Sequence, residues 1–592
     1  MVDSVKKYYA YVCFAACFIV LLWRAKMGFC WTDECFYVST ADRFYRGALP
    51  LVDEWYRTQL SSIIMVPFYA VYVAVVGSAA GVILYFRILY LILATAVSVV
   101  YYRVLSKDYP GYVALLSSLF VMAFAHLNVA TFSYYMLSSV FLELSLIIIY
   151  DHKNTRKRYM LVLAGMLAAL SVMCMPAFAA GYVIAVLAAA LIGLATVFFN
   201  RHFEEKIPLD GKRLKDTILY TVIGTAIPAL IFFVWLIAKT DIKYLFDTLP
   251  VALVDNEHSN TLGYYIRKPH RSLMEVFGLW TYPAYLLAAV TFVFQKPLAK
   301  RTLREIIVIA DVVLFCIMSY ISIGHTGYIQ AVFFMFVIPL FFVSEKKNVR
   351  LFVLFVIPAA VVALTYCFTS SDFLYVMAIG FAIAAPAGVC IVSDLAGSFD
   401  KSALGKTFAG TLAALCIVCF AVTFTLRIKN VYRDAPLGQL TENIPNGVAK
   451  GLCTTGEHLG YYLDVCDMLD KYCGNERPFD IISGSKNGNV LFSKILPWGY
   501  IVSKPACGYP TTWRATAYDP FQLDMYYGGD PMRIPDIIFV LDKQYGSYDA
   551  AGDVGDDHDP NLDEMSDYWK DYIKSNGLSE HREKGAKIYY KD

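Results

Sequence analysis

The sequence predicts a polytopic α-helical membrane protein that ends in a separate α/β domain. Of its 592 residues, 58% are hydrophobic and 17% are charged. Soluble domains average roughly 45–50% apolar and about 25% charged residues. The apolar excess is too large for a bigger core, so lipid is the expected solvent. The formal net charge of +2 disfavours nucleic-acid binding.

Thirteen apolar segments are candidates for membrane spans, because a helix needs about 20 apolar residues to cross a bilayer. Their approximate centres are Phe18, Thr95, Phe120, Leu142, Leu167, Leu187, Leu230, Leu287, Leu314, Phe336, Pro358, Phe381 and Leu415. A further stretch, 61–76, is interrupted by Pro67. We interpret it as an interfacial helix or a poorly formed span.

Lys and Arg alternate between the loops that join these segments. Basic residues crowd the loops 151–158, 201–216, 296–304 and 346–350. Neither residue type occurs in the turns 126–133, 175–179, 324–327 and 369–372. By the positive-inside rule the N-terminus is cytoplasmic, and the segments 28–60, 238–277 and everything after Arg427 lie outside. Hydrophilic residues therefore gather on one face, as in an enzyme with one working face.

The C-terminal segment alternates short apolar runs with helical patterns, which predicts a small parallel or mixed sheet. Strands are expected at 480–483, 500–503 and 537–541, and helices at 457–471 and 564–574. The segment also contains four cysteines, Cys453, Cys466, Cys473 and Cys507. The sequence leaves open whether they form disulfides outside the cell.

Two acidic pairs in the first outer segment are candidates for chemistry. Asp33 and Glu34 follow Thr32 near the membrane face, and Asp53 and Glu54 follow later. One interpretation is structural: a capped helix start for the first pair and a solvated loop for the second. The other is functional, since a carboxylate at a partly dry surface can take a proton from an acceptor hydroxyl. A neighbouring acid raises its proton affinity or shares a divalent metal ion.

The second long outer segment carries an acid–histidine cluster and a basic cluster. Asp255, Glu257 and His258 are candidates for organising the acceptor or a divalent metal ion. The basic cluster comprises Arg267, Lys268, His270 and Arg271. Arg267, Lys268 and Arg271 are candidates for binding a phosphate, with lipid-headgroup contacts as the alternative.

Three ionisable residues lie inside predicted spans, where such groups are costly. Arg87 is expected near the outer end of its span, within reach of a lipid phosphate. Glu143 and Asp311 are expected to form structural pairs.

The residues around Asp33 resemble the motif of GT-C glycosyltransferases. A first span is followed by D-E-x-x-Y (Asp33 to Tyr37), a helix ending at Gly47-x-x-Pro50, and then Asp53 and Trp55. The most similar groups are the aminoarabinose transferases of lipid A and the protein O-mannosyltransferases. The resemblance implies a GT-C-like catalytic domain over 1–426, an extracytoplasmic α/β domain over 427–592, and an inverting reaction. It also implies that Asp33 is the base or organises the acceptor.

The sequence departs from that pattern at two places, which leaves the acceptor type and any metal requirement open. Gln59-Leu60-Ser61-Ser62 stands where those families often have Lys-Pro-Pro. The second outer loop, where they often carry another acid, has His126, Asn128, Tyr134 and Tyr135 instead.

The predicted function is transfer of a sugar from a polyprenyl-phosphate-linked donor to a glycan, lipid or protein acceptor outside the membrane. Nucleotide sugars stay in the cytoplasm, so an outward-facing enzyme needs a donor that arrives through the bilayer. One alternative is a transporter or a flippase of lipid-linked glycans, which favours repeats and broken helices. Others are a glycan polymerase or ligase, with a large late loop, and a non-catalytic assembly or receptor protein.

Overall fold

The computed structural model has a bundle of helices followed by a small mixed sheet. It describes residues 2–202, 211–252, 254, 261–298, 300–323, 327–345, 347–370, 373–399, 402–515, 517–542 and 565–592. Within these ranges, seven helices are long and apolar enough to cross a membrane. The chain is therefore an integral membrane protein.

The helices of the bundle run from residue 2 to residue 429. Their bounds are α1 Val2–Arg24, α2 Asp33–Tyr45, α3 Leu60–Val76, α4 Val82–Leu105, α5 Gly111–Ala123, α6 Tyr134–Thr155, α7 Arg158–Cys174, α8 Phe178–His202, α9 Gly211–Lys239, α10 Ile242–Ala252, α11 Leu262–Phe277, α12 Thr281–Val293, α13 Gln295–Leu298, α14 Arg301–Ile321, α15 Tyr328–Val343, α16 Val349–Leu351, α17 Ile357–Thr369, α18 Phe373–Ala396 and α19 Ala403–Lys429.

Each of the thirteen predicted span centres lies inside one of these helices. Six of the described apolar helices fall below the length that qualifies the seven longer ones. The count of thirteen spans and the cytoplasmic N-terminus thus stay predictions. Pro67 does not interrupt α3, which continues through it from Leu60 to Val76.

Small residues let the helices of the bundle approach closely. A Cβ atom at Gly165 of α7 would collide with the backbone carbonyl of Thr221 in α9. A Cβ at Gly224 of α9 would meet the carbonyl of Val162 in the same way. Such contacts drive helix association in lipid, where the hydrophobic effect between helices is absent.

The C-terminal segment folds into a five-stranded mixed sheet with helices around it. The bounds are β1 Glu442–Asn443, β2 Cys453–Thr454, α20 Gly456–Cys473, β3 Asn489–Phe492, α21 Pro497–Val502, β4 Ala506–Cys507, α22 Pro520–Gly529, β5 Ile537–Leu541, α23 Asp567–Ser575, β6 Ser579–Glu583 and β7 Ala586–Tyr590. The strand order is β4-β3-β5-β7-β6, in which β3 is parallel to β4 and β5 and the other pairs are antiparallel.

The expected α/β character is confirmed, and two of the three strand predictions are wrong. Residues 537–541 form β5, and 457–471 lie inside α20. Residues 500–503 instead fall at α21, which Pro497 begins at a position where proline favours a helix. Residues 480–483 belong to no strand. The four cysteines of this segment are free thiols.

The helix α2 lies between the membrane bundle and the C-terminal segment. Ser39 Oγ donates to Thr512 Oγ1 at 2.8 Å. Arg46 donates to the carbonyl oxygens of Ser503 at 2.8 Å and Ile501 at 3.1 Å. The first outer segment and the C-terminal domain therefore meet on the same side of the bundle.

The contact between α7 and α9 gives a stability prediction. We expect Gly165→Ala to lower the unfolding temperature of the detergent-solubilised protein, because the new methyl group meets backbone atoms that cannot move aside. Gly410→Ala is the matched control, since that glycine lies in α19 with open space where a Cβ would stand. There the higher helix propensity of alanine, about 1 kcal/mol, should leave stability unchanged or raised. Equal losses in both variants would contradict the close packing of α7 on α9.

Candidate active site

The largest of the described cavities has a volume of about 610 Å³ and lies between the membrane helices and the C-terminal domain. Its wall is formed by Asp33, Leu51, Tyr56, Arg57, Thr58, Leu60, Leu127, Tyr134, Tyr135, Met175, Pro176, Ala177, Phe232, Phe233, Leu249, Tyr366, Thr369, Ser370, Tyr432, Arg433, Trp513 and Arg514. We call it the large cavity. Among the described wall residues there are one carboxylate and three guanidinium groups, so the formal charge of this part of the wall is positive.

Asp33, the first residue of α2, is the acid of this cavity. Its Oδ2 lies 3.0 Å from Arg433 Nε and accepts hydrogen bonds from Tyr432 and Thr32, each at 3.1 Å. Within the described ranges, all partners of this carboxylate contact Oδ2, and Oδ1 has none. One oxygen thus fixes the side chain while the other is available to a ligand.

Two residues of the segment after α19, Tyr432 and Arg433, contact the Asp33 carboxylate. Burial, and next the charge of Asp33, raise the pKa of Tyr432, so its hydroxyl stays protonated and donates. Burial disfavours the charge of Arg433, but the Asp33 carboxylate raises the pKa of that guanidinium. The pair is therefore a carboxylate with a permanent cation beside it.

Three residues of the cavity wall have positive φ angles although none is glycine. They are Leu51 at 63°, Leu127 at 50° and Arg433 at 56°. Such conformations cost roughly 1–3 kcal/mol each and concentrate at functional sites. These three residues lie on three different loops, so backbone strain is concentrated around this cavity.

Aromatic and apolar side chains complete the wall. The rings of Tyr134 and Tyr135 lie 3.9 Å apart, and Tyr135 also lies 4.4 Å from His126. Burial lowers the pKa of His126 to about 3, so this imidazole is neutral. Across the cavity, Phe233 of α9 is 55% exposed and belongs to a helix that can span the membrane. That part of the wall borders the surface that lipid covers.

Solved structures of a membrane oligosaccharyltransferase are similar to this chain. The archaeal oligosaccharyltransferase AglB from Archaeoglobus fulgidus, in complex with an inhibitory peptide and a dolichol-phosphate, is 12% identical, with a TM-score of 0.46 over 90% of this chain and 69% of that one. The apo form of the Archaeoglobus fulgidus oligosaccharyltransferase is 11% identical, with a TM-score of 0.40 over 91% and 70%.

A third structure is the same archaeal enzyme tethered to an acceptor peptide that contains the NVT sequon. It is 11% identical, with a TM-score of 0.41 over 93% of this chain and 74% of that one. No protein-family model matches the chain. No curated protein matches it either.

Glu34 and Arg87 form a buried pair outside the large cavity. Arg87 Nε donates to Glu34 Oε1 at 2.8 Å, and Nη2 donates to Oε2 at 2.6 Å. The Glu34 side chain has no exposed surface, and that of Arg87 is 9% exposed. This bidentate pair joins α2 to α4. It engages both carboxylate oxygens of Glu34, which was predicted to be catalytic, and the guanidinium of Arg87, which was predicted to reach a lipid phosphate.

Asp53 and Glu54 lie at the junction with the C-terminal domain, away from Asp33. Glu54 is fully buried and accepts from Arg43 Nη1 at 3.0 Å, and Asp53 pairs with Arg533 at 3.0 Å. Asp53 lines a separate cavity of about 210 Å³. Asp53 and Glu54 therefore do not form one cluster with Asp33.

The predicted basic cluster lies on α11, beside the large cavity and outside its described wall. Lys268 is buried and donates to the carbonyl of Ser370, which is a wall residue. Arg271 is exposed and pairs with Glu275 at 2.7 Å, and Arg267 is exposed. These contacts give Lys268 a supporting role behind the wall. Arg267 and Arg271, which were predicted to bind the phosphate of the sugar donor, do not line the described wall of the large cavity.

The acids of the second outer segment, Asp255, Glu257 and His258, fall outside the described residues. Among the described residues, no group of three or more His, Cys, Asp or Glu side chains could hold a metal ion.

Sequence reasoning missed the three arginines of the wall, Arg57, Arg433 and Arg514, and also Tyr432. For Arg57 a signal was available, because it lies two residues after Trp55 of the Asp53–Trp55 motif.

The Glu34–Arg87 pair gives a second stability prediction. Removing one partner of a buried ion pair costs about 3–5 kcal/mol, because the other charge stays buried. We expect Arg87→Met to lower the unfolding temperature strongly and Glu34→Gln combined with Arg87→Met to recover part of the loss.

The pair Arg301–Glu305, whose arginine side chain is 58% exposed, is the matched control, and Arg301→Met should cost about 0–1 kcal/mol. If the double variant lost the sum of the two single losses, the residues would not be energetically coupled.

Proposed function

We propose that the protein is a membrane glycosyltransferase that moves a sugar from a polyprenyl-phosphate-linked donor to an acceptor at the large cavity. The observation that carries the proposal is one carboxyl group, that of Asp33, in a positively charged cavity whose far wall is a lipid-facing helix. A lipid-linked sugar donor has a charged phosphate and an apolar chain. The arginines of the cavity match the phosphate, and the apolar helix matches the chain. The cavity lies on the side of the C-terminal domain, which the loop charges assign to the exterior.

The chemistry follows from the position of Asp33. Its free oxygen takes the proton of an acceptor hydroxyl as that hydroxyl attacks the anomeric carbon. The bond between that carbon and the phosphate oxygen breaks, and the polyprenyl phosphate leaves with both electrons. Attack from the face opposite the leaving group inverts the anomeric carbon. Tyr432 and Arg433 hold the carboxylate in place through its other oxygen.

The arginines of the cavity wall are the proposed phosphate contacts. Arg57 and Arg514 lie on the loops 51–58 and 511–515, and each offers a planar set of donors that matches a phosphate. They stabilise the charge that builds on the leaving group as the bond breaks. This replaces the role first expected for Arg267, Lys268 and Arg271, because those side chains do not line the described wall.

The decisive substitution is Asp33→Asn, which keeps the shape of the side chain and removes the base. We expect transfer to fall about 10²–10⁴-fold with little change in unfolding temperature. The donor is first identified by mass spectrometry of lipid-linked sugars that accumulate in cells lacking the protein, and transfer is then measured with purified protein.

Asp42→Asn is the matched control for that substitution. It is the same change on the same helix, but Asp42 pairs with Arg46 at 2.7 Å and lies outside the large cavity. Transfer should stay near the wild-type rate. Wild-type transfer by Asp33→Asn would exclude the base assignment.

The phosphate contacts give a separate kinetic prediction. We expect Arg57→Gln and Arg514→Gln each to raise the KM for the lipid donor by roughly tenfold or more, the size of one charge-assisted hydrogen bond. The KM for the acceptor should change little. Arg271→Gln, at an exposed pair on α11, is the control. An equal rise in both KM values would remove the leaving-group role.

A flippase for lipid-linked sugars is the alternative that shares this lipid ligand. It moves its substrate without breaking the sugar–phosphate bond. Release of free polyprenyl phosphate together with a glycosylated acceptor therefore separates the two functions.

A further inference from the structure

Three arginines converge on a third, much smaller cavity where α1, α4 and α19 meet. Arg24, Arg87 and Arg427 line it, and Glu34 is its acid. All three arginines are buried, with 4%, 8% and 5% of their surface exposed. The described lining thus carries three guanidinium groups and one carboxylate, which is a formal excess of two positive charges in a buried site.

Two of the three guanidinium groups are fully accounted for. Arg87 is held by Glu34 and also donates to the carbonyl of Ala25 at 2.8 Å. Arg24 donates to the carbonyls of Met27 at 2.7 Å, Ile428 at 2.8 Å and Asn430 at 2.6 Å. These carbonyls lie at the C-terminal ends of α1 and α19, where the helix dipole favours a cation.

Arg427 is the group that remains. Its hydrogen bond to the described chain is a long one, from Nη1 to the carbonyl of Asn128 at 3.5 Å. Its Nε is buried without a partner among the described residues. A buried guanidinium is costly when, among the described residues, it has no ion-pair partner and only one long hydrogen bond.

We propose that this cavity binds one monoatomic anion of the halide type, held chiefly by Arg427. The cavity volume of about 20 Å³ gives room for about one water-sized particle. A phosphate with four oxygens does not fit, so the site is distinct from the donor phosphate site. A water molecule would satisfy a hydrogen bond but would leave the positive charge uncompensated.

The anion site lies directly behind the proposed catalytic acid. Tyr432 lines both cavities and donates to Asp33, and Glu34 is the next residue along the chain. An anion that neutralises Arg427 therefore stabilises the segment that carries Tyr432 and Arg433.

The test is anion-specific stabilisation of the purified protein. The unfolding temperature is measured during titration with sodium chloride or bromide against sodium gluconate at constant ionic strength. We expect a saturable rise with either halide and none with gluconate. The rise should vanish in Arg427→Met. The rise should persist in the control variant Arg304→Met. Arg304 is also buried, but it pairs with Glu345 at 2.6 Å and does not line this cavity.

Three results would overturn the proposal: equal behaviour of halide and gluconate, as expected for a water-filled cavity; an unchanged halide response in Arg427→Met; or loss of the response in Arg304→Met as well. If Arg427→Met does not fold, bromide-soaked crystals of the wild-type protein decide the matter. An anomalous peak within hydrogen-bond distance of Arg427 is expected, and its absence would refute the site.

Discussion

The ion pair between Asp33 and Arg433 joins two parts of the chain that are 400 residues apart, and the site depends on it. Asp33 begins α2, directly after the first helix, and Arg433 follows the last helix of the bundle. Because one carboxylate oxygen is fixed by this pair, the other has a defined position. Without the pair, Asp33 would be an ordinary acid in the first turn of a helix.

The ion pair does not stand alone, since a continuous seam of contacts runs beside it. Phe29 N donates to Asp434 Oδ2 at 2.6 Å, and His458 Nδ1 lies 2.6 Å from Asp434 Oδ1. Gly28 N donates to the carbonyl of Cys453 at 2.9 Å. The chain that leaves α1 is thus bonded to the chain that leaves α19 and to the C-terminal domain. This seam fixes both ends of the Asp33–Arg433 pair before any ligand binds.

The sequence predicted the parts of this arrangement that depend on local pattern. Composition and run length located the helices, and the motif after the first span located Asp33. The partner Arg433 could not be found in that way, because nothing local relates residue 433 to residue 33. The partnership of Glu34 with Arg87 was missed for a related reason. The apolar helix α4 carries no pattern that tells which way Arg87 faces. Short apolar runs are ambiguous between helix and strand, which is why 500–503 was assigned to a strand.

Backbone strain and ion pairs both indicate that the loops of the large cavity are held in fixed conformations. Leu51, Leu127 and Arg433 each hold a backbone conformation that costs roughly 1–3 kcal/mol, and they lie on three separate loops. Such a cost persists only where the surrounding contacts over-determine the loop, as the seam does for Arg433 and as the buried Arg43–Glu54 pair does near Leu51. The loops are therefore set in place by the fold rather than by the ligand. That arrangement suits the proposed transferase activity, because the free energy of ordering the charged groups is met during folding and not during the reaction.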